Sequence, residues 1–475
     1  MAALTPSPFQ AWLARQAYSL VLRLGLPAYL WRVWARGREE PDYRLNWWQR
    51  LGWYDKAYRV QWRDAEGFRD ECPVVWVHAV SLGEARAAAP LIGALRRQRP
   101  GMRLLLTHTT ATGREAGRAL LNADHGDMQT WLPYDSPGAV QRFLRFHRPQ
   151  VGVLMETEVW PNVQHQARQA GVPMVLANAR LSDKSLRQGL RLSALMKPAA
   201  QALWAVLAQT DADARRLAQL LEGRRAVQVC GNVKFDMTPD EALLARGRAW
   251  HAALVAASAL PSAAAQAAPA GAALVVMAAS TREGEEPGLL QAWAAAQPWQ
   301  QGVRLLIVPR HPQRFDEVAA LVQAAGLSLS RRSQWLNDQP DAQALQAQVW
   351  LGDSMREMPA YFAASDMALL GGSFAPLGGQ NLIEAAACAC PIVVGPSTFN
   401  FEEAAELSLA AGAARRARDW PDGVAQVLAW LGQGSAAERQ AVCLSFAQAH
   451  QGAADVMARE IVRLIRRDAG RSAQG

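Results

Sequence analysis

VVWVHAVSLGEARAAAPLI, residues 74 to 92, runs from an unbroken apolar stretch through a short polar turn into an alanine-rich segment of helical spacing. A short apolar run that leads at once into such a segment is the sequence form of a strand feeding a helix, as in a parallel sheet covered on both faces. The rhythm recurs. RLLLTH, MQTWLPY, VGVLMET, PMVLANA, LWAVLAQ and AVQVCG repeat it in the first half, and ALVVMAAS, VRLLIVPR, VWLGDS, MALLGGS and PIVVGPS in the second. The fold class read from this is α/β, with two Rossmann-like, doubly wound sheets. A length of 475 residues, half of them apolar, fits two such domains better than one.

The composition narrows the partners. Of 50 basic residues only Lys56, Lys184, Lys197 and Lys234 are lysines, and the net charge of +8 favours an anionic partner. The basic residues are dispersed rather than gathered into an aromatic-studded strip, which speaks against nucleic acid. Five scattered cysteines show no metal-ligand spacing, so a reducing compartment and no structural metal are expected. Residues 9 to 38 are apolar and aromatic but interrupted by Arg15, Arg23 and Arg32, too often for a spanning helix. With Arg15, Ser19 and Arg23 on one helical face and Phe9, Trp12, Leu13, Leu20 and Leu24 towards the other, the pattern suits a helix lying in a membrane interface. An ordinary helix packed on the domain is the alternative. No cleavage site follows, so no removable signal peptide is expected.

In doubly wound sheets ligands bind beyond the carboxyl ends of the strands. Neither GxGxxG nor GxxxxGK[ST] stands there, against a nicotinamide-dependent dehydrogenase or a P-loop nucleotidase. Glu156 and Glu158 leave the run VGVLMET as two acids that must be solvated, paired or used. Lys234 follows AVQVCG, in a chain that otherwise uses arginine for generic positive charge. Arg310, after Pro309, is placed to grip a phosphate and reads equally as a solvated loop arginine. In GGSFAPLGGQNLIEAAA, the paired glycines allow close backbone approach. Asn381 sits at a helix start whose amides suit a phosphate, and Glu384 either meets ribose hydroxyls or merely completes a cap. Ser81 and Glu84 fit a capping box, and from spacing alone the pair reads as a cap.

Taken together, WVHAVSLGEARAAAPLI, LPYDSPGAVQRFLRFHRP, METEVWPN, NARLSDKS, GNVKFD, ASTREGEE, IVPRHPQRF, GDSMREM and GGQNLIEAAA…PIVVGPSTFNF resemble, in order, the motif series of bacterial 3-deoxy-D-manno-octulosonic acid (Kdo) transferases. The resemblance covers about residues 30 to 405 and implies a GT-B glycosyltransferase, two Rossmann-like lobes facing across a cleft with an N-terminal membrane-associated helix. It implies transfer of Kdo from CMP-Kdo to lipid IV(A), the lipid A precursor, in lipopolysaccharide biosynthesis on the cytoplasmic face of the inner membrane, with no cofactor or catalytic metal.

Carried over residue by residue, it makes Glu84 the proton acceptor and Glu156 and Lys234 transition-state stabilisers. Its CMP contacts fall on Pro309, Arg310, Met355, Arg356, Glu357, Asn381, Leu382, Ile383 and Glu384. Arg356 departs from the pattern, standing where glycine is expected. A helix N-terminus favours an ionised carboxylate, so Glu84 is expected to be held charged. The division expected is residues 1–40 as membrane helix, 41–240 as acceptor-binding lobe, 241–272 as an Ala/Pro-rich linker or insertion, and 273–475 as CMP-Kdo-binding lobe with C-terminal helices. The alternatives left open are another GT-B enzyme, such as a UDP-sugar lipid glycosyltransferase or an epimerase, and a non-catalytic basic membrane or nucleic-acid binding protein.

Overall fold

The structure, a computed structural model, describes residues 6–63, 72–259 and 273–472. The chain divides into two compact units, Met1–Asp236 with Gln451–Gly475, and Met237–His450. Each is built on a seven-stranded sheet whose ladders are all parallel among the described residues.

In the first unit β1 (Val74–His78), β2 (Arg103–His108), β3 (Met128–Trp131), β4 (Val151–Met155), β5 (Met174–Ala179), β6 (Ala205–Ala208) and β7 (Val227–Val229) pair in the order β3-β2-β1-β4-β5-β6-β7. Successive strand residues point to opposite faces, so an unbroken apolar run is needed where both faces are covered. Val75 and Val77 join one core with Leu91 of the helix Leu82–Gln98 and Ile461 of the final helix. Trp76, between them, joins the other core with Phe143 and Val163 of the helices Pro137–His147 and Pro161–Gln169. Each fully buried side chain of this kind contributes about 1.5–3 kcal/mol.

The final helix, Ala453–Ser472, returns to the first unit, whereas the sequence reading grouped it with residues 273–475. Met457, Ala458 and Ile461 complete the core over β1 and β4. Its start is fixed by Asp236, which accepts from the backbone N–H of Gly452 and, at 2.6 Å, of Ala454.

In the second unit β8 (Leu274–Thr281), β9 (Val303–Pro309), β10 (Leu329–Arg331), β11 (Val349–Leu351), β12 (Met367–Leu370), β13 (Ile392–Val394) and β14 (Ala414–Arg416) pair in the order β10-β11-β9-β8-β12-β13-β14. The segment expected as a linker from residue 241 begins as a 19-residue helix, Glu241–Ala259. It packs on the helix Met358–Ala363 through Gly247, where a Cβ would stand 2.0 Å from the Ala360 carbonyl oxygen. It also buries Trp250, whose indole N–H donates to the Asp338 carbonyl at 2.7 Å. Residues 260–272, the alanine-rich part of that segment, lie outside the described residues.

The N-terminal helix, Pro8–Arg36, opens on a capping box between Ser7 and Gln10. It docks by its polar stripe. Ser19, only 2% exposed, bonds with the Asn162 side-chain amide, and Tyr18 donates to Asp135 Oδ2 at 2.9 Å. Burial pushes the Asp135 carboxyl up to about 7, against the N–H and O–H groups that donate to it. Phe9, Trp12, Leu13, Leu20, Val21, Leu24, Trp31 and Trp34 are left half or more exposed. No helix among the described residues is long and apolar enough to cross a membrane.

Candidate active site

The strand order places β1 beside β4 although two strands intervene in sequence. The chain leaves β1 toward β2 and leaves β4 toward β5, so the two connections part and a crevice opens at the carboxyl ends, where doubly wound sheets bind ligands. Glu84 follows β1 and Glu156 follows β4, one on each side of this switch point.

Beyond β1 the chain turns at Ser81, the N-cap of the helix Leu82–Gln98, whose hydroxyl accepts from the Glu84 N–H at 3.4 Å. The Glu84 carboxylate reaches back one residue past the cap, and its Oε2 accepts from the Val80 N–H at 2.8 Å. The expected ionised carboxylate is not what the surroundings favour. Burial raises its pKa to about 7, helped by Glu158 and Glu156 and opposed by the Val80 N–H and by Arg180. Desolvation and two neighbouring acids outweigh the helix terminus.

Beyond β4, Glu156 takes the left-handed conformation, with φ of 57°. Such backbone in a residue with a side chain is sparsely populated and is kept where surroundings enforce it. Here the bend is tied to the next strand: the Glu156 N–H donates to the Ala177 carbonyl at 3.0 Å and the Arg180 N–H to the Glu156 carbonyl at 3.2 Å. The buried carboxylate is shared by two cations, Lys234 Nζ at 3.0 Å from Oε1 and Arg180 Nε at 2.9 Å from Oε2. Glu158 is also pushed above its usual range, by burial first and by Glu156.

Lys234 owes its position to side-chain amides at three successive strand ends. Asn178 Oδ1, at the end of β5, accepts from the Val233 N–H at 3.1 Å, and the Asn178 carbonyl accepts from Gln209, which follows β6, at 2.9 Å. Gln209 Oε1 accepts from Asn232 at 3.1 Å, and Asn232 Oδ1 from the Lys234 N–H at 3.0 Å. Glu84, Glu156 and Lys234, singled out separately in the sequence, thus share one edge of one sheet. Arg180 and this amide relay were not singled out. Their signal was the strand-end position of each, which carries no meaning until the strand order is known.

The other predicted residues lie in the second unit, at the carboxyl ends of neighbouring strands. Arg310 follows β9, and its N–H donates to the Thr281 carbonyl at the end of β8 at 2.9 Å. Past β11, Met355 is exposed and Arg356 has φ of 67°, the conformation for which glycine is the natural occupant. Glu357 is engaged by Arg246 at 2.7 Å, Arg332 at 3.0 Å and the Ser354 hydroxyl. Its carboxylate is therefore committed to the fold, and a ligand would meet this segment through backbone and its neighbours.

After β12, Gly372, Gly378 and Gly379 all have positive φ, and Glu285 straps the loop by accepting from the N–H of Gly372 at 2.7 Å and of Ala375 at 3.2 Å. Asn381 Oδ1 caps the short helix Leu382–Ala387 by accepting from the Ile383 N–H at 3.1 Å. Leu382 and Ile383 are buried, so only their backbone is available to a ligand, while Glu384 is partly exposed.

The profile of the family 3-deoxy-D-manno-octulosonic-acid transferase (kdotransferase) matches residues 45–237. The chain is 46% identical to the 3-deoxy-D-manno-octulosonic acid transferase of Bordetella pertussis, over 86% of this chain and 89% of that one. To the enzyme of the same name from Haemophilus influenzae it is 32% identical, over 81% and 83%. Among solved structures, a glycosyltransferase from Rickettsia africae ESF-5 aligns with a TM-score of 0.51 at 12% identity, covering 84% of this chain and 99% of that one. This is a likeness of fold alone, two parallel-sheet α/β lobes of the GT-B kind. Identity of this extent over most of both chains means that the chain belongs to the 3-deoxy-D-manno-octulosonic acid transferases and is a glycosyltransferase.

Proposed function

We propose that this Kdo transferase takes Kdo from CMP-Kdo and delivers it with inversion to a primary hydroxyl of lipid IV(A), with Glu84 as the general base. The observation that carries the reading is the pairing of Glu84 and Glu156 across the switch point. A base of pKa about 7 stands there beside a carboxylate already balanced by Lys234 and Arg180. A base near the working pH combines adequate ionisation with proton-accepting strength. Glu84 takes the hydroxyl proton as that oxygen bonds to the anomeric carbon, and the bond from that carbon to the CMP phosphate breaks with its electron pair leaving on CMP. Lys234 and Glu156 stabilise the charge that develops. In the second unit Arg310 and the backbone about Arg356 and Asn381 hold the CMP moiety. The product of labelled Kdo transfer to lipid IV(A), weighed by mass spectrometry, tests both reaction and acceptor. The absence of a Kdo-bearing product would overturn the reading. Nucleotide choice is separable: CMP is expected to raise the melting temperature more than UMP at equal concentration, and the reverse order would point to a uridine-nucleotide donor.

The exposed aromatic and aliphatic face of the helix Pro8–Arg36 supports attachment to the cytoplasmic face of the inner membrane, since the helix is fixed to its own domain by the opposite, polar stripe. This is the arrangement of an interfacial helix, apolar side to the acyl boundary. Replacing Trp12, Leu20 and Leu24 together by glutamate is expected to weaken co-sedimentation with anionic phospholipid vesicles by more than about tenfold, given about 1.5–3 kcal/mol per buried side chain. These side chains make up the exposed face, so the melting temperature should hold. Undiminished vesicle binding would refute the attachment.

A further inference from the structure

We infer that Arg180 grips the carboxylate of the transferred sugar acid, a donor-recognition contact distinct from the base Glu84 and from Lys234. The inference rests on reading the Glu84 site as the place of transfer. Arg180 is held twice by the bend after β4, by its N–H on the Glu156 carbonyl at 3.2 Å and by its Nε on Glu156 Oε2 at 2.9 Å. The ion pair with Glu156 is made through Nε. The outer edge of the guanidinium, Nη1 and Nη2, has no other side-chain partner among the described residues. The side chain is 52% exposed while the Glu156 side chain it leans on is 6% exposed, so the fork is anchored at its inner end and open at its outer one.

Its neighbourhood points the same way. Arg180 acts on Glu84 as well, lowering its pKa against the neighbouring acids Glu158 and Glu156, so it borders the residue that would meet the acceptor oxygen. An ulosonic acid carries its carboxylate on the anomeric carbon itself, so the anion to be held is one bond from the carbon that Glu84 directs the acceptor oxygen toward. A planar carboxylate matches the two parallel N–H groups of an arginine fork, whereas a lysine offers a point charge. Arg180 exchanges no proton in the step. It fixes which face of the anomeric carbon is presented while the acceptor O–H and donor C–O bonds break and the new C–O bond forms.

The test is steady-state kinetics with CMP-Kdo and lipid IV(A) varied separately. Arg180→Ala is expected to raise KM for CMP-Kdo by about tenfold or more, as for loss of hydrogen bonds to a charged group, with KM for lipid IV(A) unchanged. Arg180→Lys should fall between, and added guanidinium should restore part of the loss in Arg180→Ala, which also shows that the variant is folded. A merely structural role would shift the pH profile of Glu84 and leave the donor KM where it was, and that result overturns the inference. So does an Arg180→Ala enzyme that no longer distinguishes lipid IV(A) from its dephosphorylated form, because the anion held would then be the acceptor's phosphate. Glu84 itself is judged by the turnover number of Glu84→Gln, which the donor KM does not enter.

Discussion

Glu84→Gln is expected to lower kcat by about 10²–10⁴-fold, the range associated with a positioned general base. KM for CMP-Kdo should change little. Glutamine keeps an oxygen able to accept from the Val80 N–H, the bond that now holds the side chain at 2.8 Å, so the turn should survive and the melting temperature should stay near that of the parent. The pH profile supplies a second readout. Only the ionised carboxylate accepts a proton, and burial, with Glu158 and Glu156, holds its pKa near 7. The rate should therefore rise with pH, about tenfold per unit below 7, and level off above it. In Glu84→Gln the residual rate should lose that limb. Glu158→Gln removes one of the raising charges and should move the midpoint down. Near-normal turnover in Glu84→Gln, or a profile of unchanged shape, would remove Glu84 from the chemistry.

The same residue shows what the sequence carried and where it stopped. The serine half of the capping box was legible, since Ser81 accepts from the Glu84 N–H, but the Glu84 carboxylate accepts from the Val80 N–H instead of that of Ser81. Its charge was not legible, because the burial that chiefly raises its pKa, and the acids Glu158 and Glu156 that add to it from just past β4, arise only when β4 pairs with β1 in the folded sheet. The long buried strands could be read as apolar runs, since both their faces are covered. β10 and β14 could not. Each has three residues, lies at a sheet edge and includes arginine, so neither length nor hydrophobicity marks it. The N-terminal helix was legible in its two faces, but the docking side had to be seen: Ser19 and Tyr18 meet buried partners, and the apolar side stays out. The final helix was misplaced because an apolar stripe of Met457, Ala458 and Ile461 fits either sheet equally well on paper. Asp236, at the boundary of the first unit, is what ties it back.

A second large effect is expected in the other unit, on stability. Glu286 has a side chain 0% exposed, and it meets Arg314, 5% exposed, in a two-point contact with both distances 2.8 Å. Removing one member of such a pair leaves a buried charge without its counterpart, which costs about 3–5 kcal/mol. Glu286→Gln should approach the lower end, since Glu317 stays within 3.1 Å of Arg314 from a largely exposed position. The midpoint of urea unfolding monitored in the second unit should fall accordingly. The pair is not needed for stability as such: Glu286→Leu combined with Arg314→Met replaces two charges by apolar volume and should recover most of the loss. A double variant as unstable as the sum of the two singles would mean that the pair does not act as a unit. Function should follow through the adjacent residue. Glu285 straps the glycine loop after β12 from the same first helical turn, so loosening that turn should weaken protection by CMP before it abolishes folding.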